Sequence, residues 1–441
     1  MPKKSFAADA TWVLLTSVFA AIISIAGGAL LARFIGPDGK GVVTAILVVP
    51  TLVSNLLALG LREPIAHLIG KKVFNIKEII DSAYWFLILS SAAGIIISGI
   101  YLVSIGNPEF TPLMILLALM VVPANATIFL CGGIFLGQGR IGLLNRVVWI
   151  SEFLRLLAIV GLVWALNLGV TSALVAWLLG LCITASYGVA LVRADFKPKR
   201  RYIPPVAKKM LGMSGIYTLS ILATRLHHSI DIIMMERLSN VTQIGLYAVG
   251  LGTVELILHI PSAVGTVLFS RSANAADWVS MAAQVAKLLR VTFLAAWLAG
   301  AALYLAAPVM IPLVYGSAFM PSIAITQLLI PGIVGWSISS VINGSMKGHG
   351  RAGIGILVTL PGVVINVILN YFLLPKYGAK GAALASVISY NLVAVIWIVV
   401  YARLTSLPIW EFVRYRKSDF SFIRQLSRRT GSEDCSNRSS G

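Results

Sequence analysis

The chain is short of charge. Only 12% of its 441 residues are Asp, Glu, Lys or Arg, against 58% hydrophobic, and its mean hydropathy is +0.90. Acid is scarcer still, with 16 Asp and Glu against 35 Lys and Arg. A soluble domain of this size has no use for so much apolar side chain, so the composition points to a polytopic membrane protein. Cysteine is nearly absent. Cys131 and Cys182 lie in apolar stretches and Cys435 near the end, without the spacing of a disulfide framework or a metal site. No GxxxxGK[ST] run occurs, so nothing here reads as a loop that hydrolyses ATP. Long polar insertions are missing too. Connections such as Gly106 to Phe110 and Tyr315 to Pro321 are too short to hold an outer domain with a catalytic site, so no enzyme is expected.

What is present is apolar length. Stretches long enough to span a membrane run over about 11–32, 42–61, 82–105, 112–136, 147–166, 172–192, 213–236, 245–269, 288–314, 322–343, 354–374 and 381–403. The expectation is all-α, with twelve transmembrane helices. Met1 to Lys4 is a basic head with no small-residue cleavage site after it, so the first stretch is expected to be kept as a helix. An even number of spans puts both termini on one side. With the N-terminus inside, 28 of the 35 basic residues fall on the inner side, 5 (Arg33, Lys40, Arg237, Lys376, Lys380) on the outer side, and Arg155 and Arg225 within spans. That bias predicts cytoplasmic termini. It also explains the net charge of +19 by topology, without nucleic acid.

The longest inner loop, Arg193 to Leu211, is rich in Lys, Arg and Pro and suits anionic headgroups. It divides the chain into expected lobes at 1–198 and 199–407, followed by a basic cytoplasmic tail at 408–441. The tail mixes Trp410, Phe412, Phe420, Phe422 and Ile423 with basic residues. Its first part reads as an interfacial helix on lipid, and its GSEDCSNRSSG end as disordered.

The two halves look alike. GQGRIG, Gly137 to Gly142, recurs as GHGRAG, Gly348 to Gly353. The hairpins Asn167-Leu168-Gly169 and Lys376-Tyr377-Gly378 match with a two-residue slip, and ARFIGPDGKGVVTA pairs with ERLSNVTQIGLYAV. That last pairing aligns Arg33 with Arg237 and Gly41 with Gly245. Two six-helix repeats of equal orientation follow, related about an axis along the membrane normal and facing a central cavity. GxGRxG is not a nucleotide loop here, because membrane helices rather than a strand precede it. Its glycines make tight inner turns, with Arg140 and Arg351 at the headgroups.

The seventh stretch, MSGIYTLSILATRLHHSIDIIMMERL from Met213 to Leu238, concentrates the candidate chemistry. Arg225 lies about 18 Å along the helix from Met213, near the bilayer midplane. At 100° per residue, Ser214, Tyr217, Ser220, Thr224, Arg225, His227, His228 and Asp231 fall within an arc of roughly 160°. Leu219, Leu222, Ala223, Leu226, Ile230 and Ile233 fill the other side. Ionisable groups at that depth cost several kcal/mol unless they face water or one another, so they are functional candidates. A buried ion pair that only locks helix packing is the plain alternative.

Other spans add to this set. The eighth carries Glu255, His259, Ser262 and Thr266 on one face, with a kink expected at Pro261. Ser339, Ser340 and Asn343 lie in the tenth span, and Asn366 and Asn370, an i,i+4 pair, in the eleventh. In the first repeat, Thr44, Thr51 and Asn55 share a face of the second span, and Glu152 and Arg155 form an i,i+3 pair in the fifth. For each Ser, Thr and Asn the plain alternative is helix–helix hydrogen bonding. His227 and Asp231 share a face, but adjacent histidines diverge by 100° and do not converge on one ion, so no metal is expected. Two readings stay open: His227, Asp231, Glu255 and His259 as a proton or charge relay, and Arg225 with His228 as a phosphate site.

The hairpin GGALLARFIGPDGKGVVTAILVVPTLVSNLLALGL resembles that of the bacterial polysaccharide and O-antigen flippases. These belong to the multidrug/oligosaccharidyl-lipid/polysaccharide exporter superfamily. Gly348 to Ser389, with GHGRAG and LPKYGAKGAALASVIS, is similar to that family's eleventh and twelfth spans. The resemblance implies a two-lobed transporter of the bacterial inner membrane, without a cofactor. It would move a polyprenyl-pyrophosphate-linked oligosaccharide outward by alternating access, for surface polysaccharide such as lipopolysaccharide. Membrane lipids, a polysaccharide polymerase and glycosyltransferases are the implied partners. Arg155 and Arg225 match the family's cavity arginines by position, with His228, Asn343 and Asn366 completing the expected substrate contacts. Glu152, Asp231 and Glu255 offset the two arginines, which keeps in view a proton- or sodium-coupled drug or organic-cation antiporter of the same superfamily.

Overall fold

The computed structural model describes residues 6–165, 169–196, 199, 201–274, 278–416 and 419. Lys3, Lys4, Asn167, Leu168, Lys197, Arg200, the Tyr217 side chain, Cys435 and the tail beyond residue 419 lie outside the described residues. Among the described residues there is no strand. The helices are α1 (Phe6–Gly70), α2 (Ile76–Ile105), α3 (Pro112–Gly137), α4 (Ile141–Ala158), α5 (Gly169–Phe196), α6 (Pro204–Leu238), α7 (Val241–Val254), α8 (His259–Asn274), α9 (Trp278–Tyr315), α10 (Pro321–Gly348), α11 (Ala352–Tyr377), α12 (Ala379–Thr405) and the short α13 (Trp410–Val413). A π-helical stretch, Ile159–Ala165, extends α4, and a 3-10 turn, Glu255–Leu258, joins α7 to α8.

Each of the twelve apolar stretches falls on helix wherever it is described. Nine helical stretches among the described residues are long and apolar enough to cross a membrane. α1 counts once among them although it contains two arms, and α4 and α6 are not among them. α6 falls short because its centre carries Arg225, His227, His228 and Asp231.

Local chemistry explains most helix ends. Asn75 caps α2 by accepting from the Lys77 N–H at 3.0 Å, and Glu78 reaches back to the Asn75 N–H. Thr111 caps α3, whose first residue is Pro112. The loop expected between the first two spans is not there. Helix runs up to Gly36 and resumes at Pro37, and Gly36 alone is non-helical at φ 68°, ψ −177°. Glycine tolerates that conformation and proline suits a helix start, so one residue makes the turn. The irregularity in the eighth span lies one turn before Pro261. Proline has no N–H for the Ile257 carbonyl, and the 3-10 turn Glu255–Leu258 is where that bond is missing.

The repeat is legible in the backbone. Gly139 (φ 69°) donates to Leu136 O at 3.0 Å and Arg140 N to Phe135 O at 2.9 Å. Gly350 (φ 72°) donates to Lys347 O at 3.0 Å and Arg351 N to Met346 O at 3.0 Å. Both are glycine-terminated helix ends with paired 5→2 and 6→1 bonds, which explains GQGRIG and GHGRAG. Gly169 and Gly378 likewise share positive φ at the starts of α5 and α12.

Two compact units form. One comprises Met1–Gly250, Ala307–Ile325 and Val363–Ala385. Its core includes Ile65 and Leu68 of α1, Ile79 of α2, Phe135 of α3, Val192 of α5 and Val206 of α6, all buried. Gly133 and Gly137 let α3 approach α1 closely, since a Cβ at either would lie 2.9 Å from the Arg62 or Ala66 carbonyl oxygen.

The other unit comprises Leu251–Ala306, Thr326–Gly362 and Ser386–Gly441. Here Gly265 of α8 meets Gly344 of α10, where a Cβ would come within 2.3 Å of the Gly265 carbonyl oxygen. Trp336 packs on Tyr390 with ring centroids 5.0 Å apart. The start of the tail, where an interfacial helix is expected, forms the short α13, with Ile409, Trp410 and Val413 exposed and its other side packed into this unit. Phe412 is buried edge-on against Tyr401, and buried Arg290 forms two bonds, of 2.8 and 2.7 Å, with Asp419. Arg290 also donates to the Glu411 carbonyl.

Candidate functional site

α6 divides its polar residues between two surroundings. Ser214, Ser220, His227 and Asp231 are buried, as is Ala223 from the opposite, apolar side of the helix. Arg225 is exposed and His228 half-buried. A polar arc of roughly 160° is wider than one packing seam, so one edge is covered while the other stays open. Ser214 and Thr224 satisfy their hydroxyls on their own helix, donating to Met210 O and Ser220 O at 2.8 and 3.0 Å.

Asp231 sits in a dense polar cluster. Its carboxylate accepts from the Tyr247 hydroxyl of α7 at 2.7 Å and from Asn370 Nδ2 of α11 at 2.7 Å. Asn370 also donates to the side chain and the backbone carbonyl of Asn366, at 2.8 and 3.0 Å. Asp231, Tyr247, Asn366 and Asn370 all have 0% exposure. Burying a carboxyl costs several kcal/mol unless donors compensate, and these residues supply them. His227 is equally buried, one turn away. Asp231 and Asn366 are therefore brought together, in a packed network linking α6, α7 and α11. Tyr247 was not found by sequence reasoning, because nothing local marks a tyrosine 16 residues away as a partner.

Arg155 sits elsewhere in the same unit. It pairs with Glu152 on α4, donates to Ser24 Oγ of α1 at 2.8 Å, and lies 4.6 Å from the ring centroid of Trp177 on α5. Gly180 makes room for it, since a Cβ there would meet Arg155 backbone at 3.3 Å. Charge pairing, a hydroxyl and a cation–π contact hold its fork of donors in place. Thr44, Thr51 and Asn55 are half-buried, and Asn125 Nδ2 reaches Ser54 Oγ at 3.3 Å between α3 and α1.

In the second unit, Glu255, His259, Ser262 and Thr266 are all exposed, the single face expected of them. The opposite face, with Ile257, Pro261, Gly265 and Leu268, is buried. Asn343 is half-buried and Ser339 buried.

Residues 30–324 match the family model described as polysaccharide biosynthesis protein. The chain belongs to this polysaccharide biosynthesis family. A relative from Shigella flexneri, named "Putative O-antigen transporter", is 22% identical over 416 residues, covering 90% of this chain and 98% of its own. An uncharacterized membrane protein of Methanocaldococcus jannaschii is 21% identical over 400 residues, covering 87% and 95%. Among solved structures, the lipid II flippase MurJ in an inward closed conformation aligns with TM-score 0.75 at 14% identity, over 94% of this chain and 95% of that one. An inward-facing multidrug resistance transporter of the MATE family and MOP superfamily aligns with TM-score 0.71 at 16% identity, over 88% and 94%. At such identities the likeness speaks for the fold. This member of the polysaccharide biosynthesis family thus has the all-helical fold of the MOP-superfamily transporters and is a multi-pass membrane protein.

Proposed function

We propose that the protein flips a polyprenyl-pyrophosphate-linked oligosaccharide from the inner to the outer leaflet of a bacterial inner membrane, with both termini cytoplasmic. The repeats 1–198 and 199–407 act as lobes that rock against each other while the lipid tail stays in the bilayer. The observation that carries the reading is the exposure of Arg225 near the middle of the Met213–Leu238 stretch of α6, while Asp231 and His227 on the same helix are buried. A cation left open at that depth needs water or an anion, and a guanidinium fork matches phosphate oxygens. Arg155 is the second phosphate contact, held ready by Glu152, Ser24 and Trp177. His228, Asn343 and Asn366 complete the proposed substrate contacts, with Asn366 acting through the network that sets α11. His227, Asp231, Glu255 and His259 are the proposed charge relay, in which the exposed Glu255 and His259 exchange protons with water. The saccharide polymerase and glycosyltransferases are the proposed partners.

The test is complementation in a strain lacking its own flippase. Arg225→Ala is expected to abolish surface polysaccharide while the protein accumulates normally, and Arg225→Lys to restore little. Normal export by both variants overturns the phosphate role.

The exposed Glu255 favours one second reading, a cation antiporter. In that case Glu255→Gln raises drug sensitivity and leaves surface polysaccharide intact.

A further inference from the structure

The aligned halves of the sequence repeat meet physically. The pairing of Arg33 with Arg237 and Gly41 with Gly245 also matches Pro37 with Val241 and Asp38 with Thr242. In the first compact unit these mates touch. A Cβ on Gly41 would lie 1.8 Å from the Val241 carbonyl oxygen and 3.2 Å from Gly245 N. A Cβ on Gly245 would lie 1.9 Å from the Pro37 carbonyl oxygen and 3.0 Å from Gly41 N. Each glycine thus sits against the carbonyl four residues before its own mate. A crossing that reads the same from both sides arises where a pseudo-twofold axis passes between two helices.

Other bonds at this end of the unit surround the crossing. Thr242 Oγ1 donates to Asp38 Oδ1 at 2.5 Å, and buried Ser322 Oγ to Leu246 O at 2.9 Å. Gln243 Oε1 accepts the Ala379 N–H at 2.9 Å, and Arg33 donates to Leu313 O at 3.3 Å. Asp38 and Arg33 are exposed, so water can replace their bonds at little cost.

We propose that the Gly41–Gly245 crossing is the seal at the outer end of the transporter, and that glycine at both positions sets the balance between its closed and open states. This rests on the transport reading above. Backbone lies directly on backbone, held by dispersion and Cα–H···O contacts. At the two glycines themselves the nearest atoms are backbone, and the flanking Thr242–Asp38 bond is exposed to water on the Asp38 side, so the two helices can part and rejoin in the same register. One methyl at either position forces the backbones apart by on the order of 1.5 Å, which forfeits most of that contact.

The reporter is a single cysteine in place of buried Ser322, in a full-length chain without its native cysteines. A membrane-impermeant thiol reagent added from outside should label it slowly. Labelling should rise at least tenfold with Gly41→Ala or Gly245→Ala and stay unchanged with Gly215→Ala, where a Cβ meets nothing within 4 Å. Asp38→Lys with Thr242→Lys keeps both glycines and should also accelerate labelling, which covers the case of poorly folded alanine variants. Unchanged labelling throughout overturns the seal. In a second arm, a disulfide between Asp38→Cys and Thr242→Cys should stop saccharide export until it is reduced, and undiminished export under full cross-linking overturns the seal's part in transport. The expected labelling pattern with no export even from the reduced protein would remove the transport reading and leave the glycine contact standing.

Discussion

Tyr247 donates its hydroxyl to the Asp231 carboxylate at 2.7 Å, with both side chains at 0% exposure. The bond ties α7 to α6, and Asn370 ties α11 to the same carboxylate. Tyr247→Phe should lower stability by about 1–3 kcal/mol, because a buried acceptor loses a donor. Asp231→Ala should cost more than Tyr247→Phe, since it strands both donors. In the Asp231→Ala background Tyr247→Phe should cost little further, which a double-mutant cycle on unfolding in detergent measures. Additive losses would mean that the two residues do not share a network.

The tail contact should be sensitive to acid. Hydrogen bonds from Arg290 hold the Asp419 carboxyl below the usual carboxylate range, with help from the Arg416 backbone N–H and against the opposing effect of burial. A lowered folded-state value means that the stabilisation is complete above about pH 3.9, the ordinary aspartate value, and is lost as pH falls through the lowered one. Limited proteolysis of the tail should therefore accelerate only in that acid window. Asp419→Asn should be cut readily at neutral pH, with a flat response to acid. Identical acid profiles for the two proteins would show that Asp419 does not govern the contact.

Gly139 and Gly350 end helices with φ of 69° and 72°. Alanine at either position should cost roughly 1 kcal/mol, and asparagine less, because only the left-handed conformation closes the paired bonds. Similar shifts in unfolding midpoint are expected in the two repeats. No shift at either site would argue against the shared turn.

These turns show which parts of the structure are legible in the sequence. Helix positions and the GQGRIG and GHGRAG turns rest on contacts a few residues apart, so periodicity and glycine placement reveal them. The single-residue turn at Gly36 was hidden because Arg33 to Lys40 reads like any polar loop. The surroundings of Asp231 were hidden for a different reason. Ionisable residues mark depth in the membrane, but whether they are packed or open depends on Asn370, 139 residues away. Asp419 reads as one acid in a basic tail until Arg290, 129 residues away, reaches it.

Arg155 has a structural tie to Glu152 as well as its proposed phosphate role, and the two separate experimentally. Arg155→Ala alone leaves a half-buried carboxylate without its partner, which should cost about 1–3 kcal/mol. Adding Glu152→Gln should recover much of that stability without recovering export. Export restored by the double variant would assign Arg155 a purely structural part.

The most direct measurement is transbilayer movement itself, in proteoliposomes carrying a polyprenyl-pyrophosphate-linked oligosaccharide whose sugar is read by a lectin on one face. Wild-type protein should move the lipid, Arg225→Ala should not, and Gly215→Ala should match wild type. Equal movement with Arg225→Ala, or none with wild type, would contradict the account.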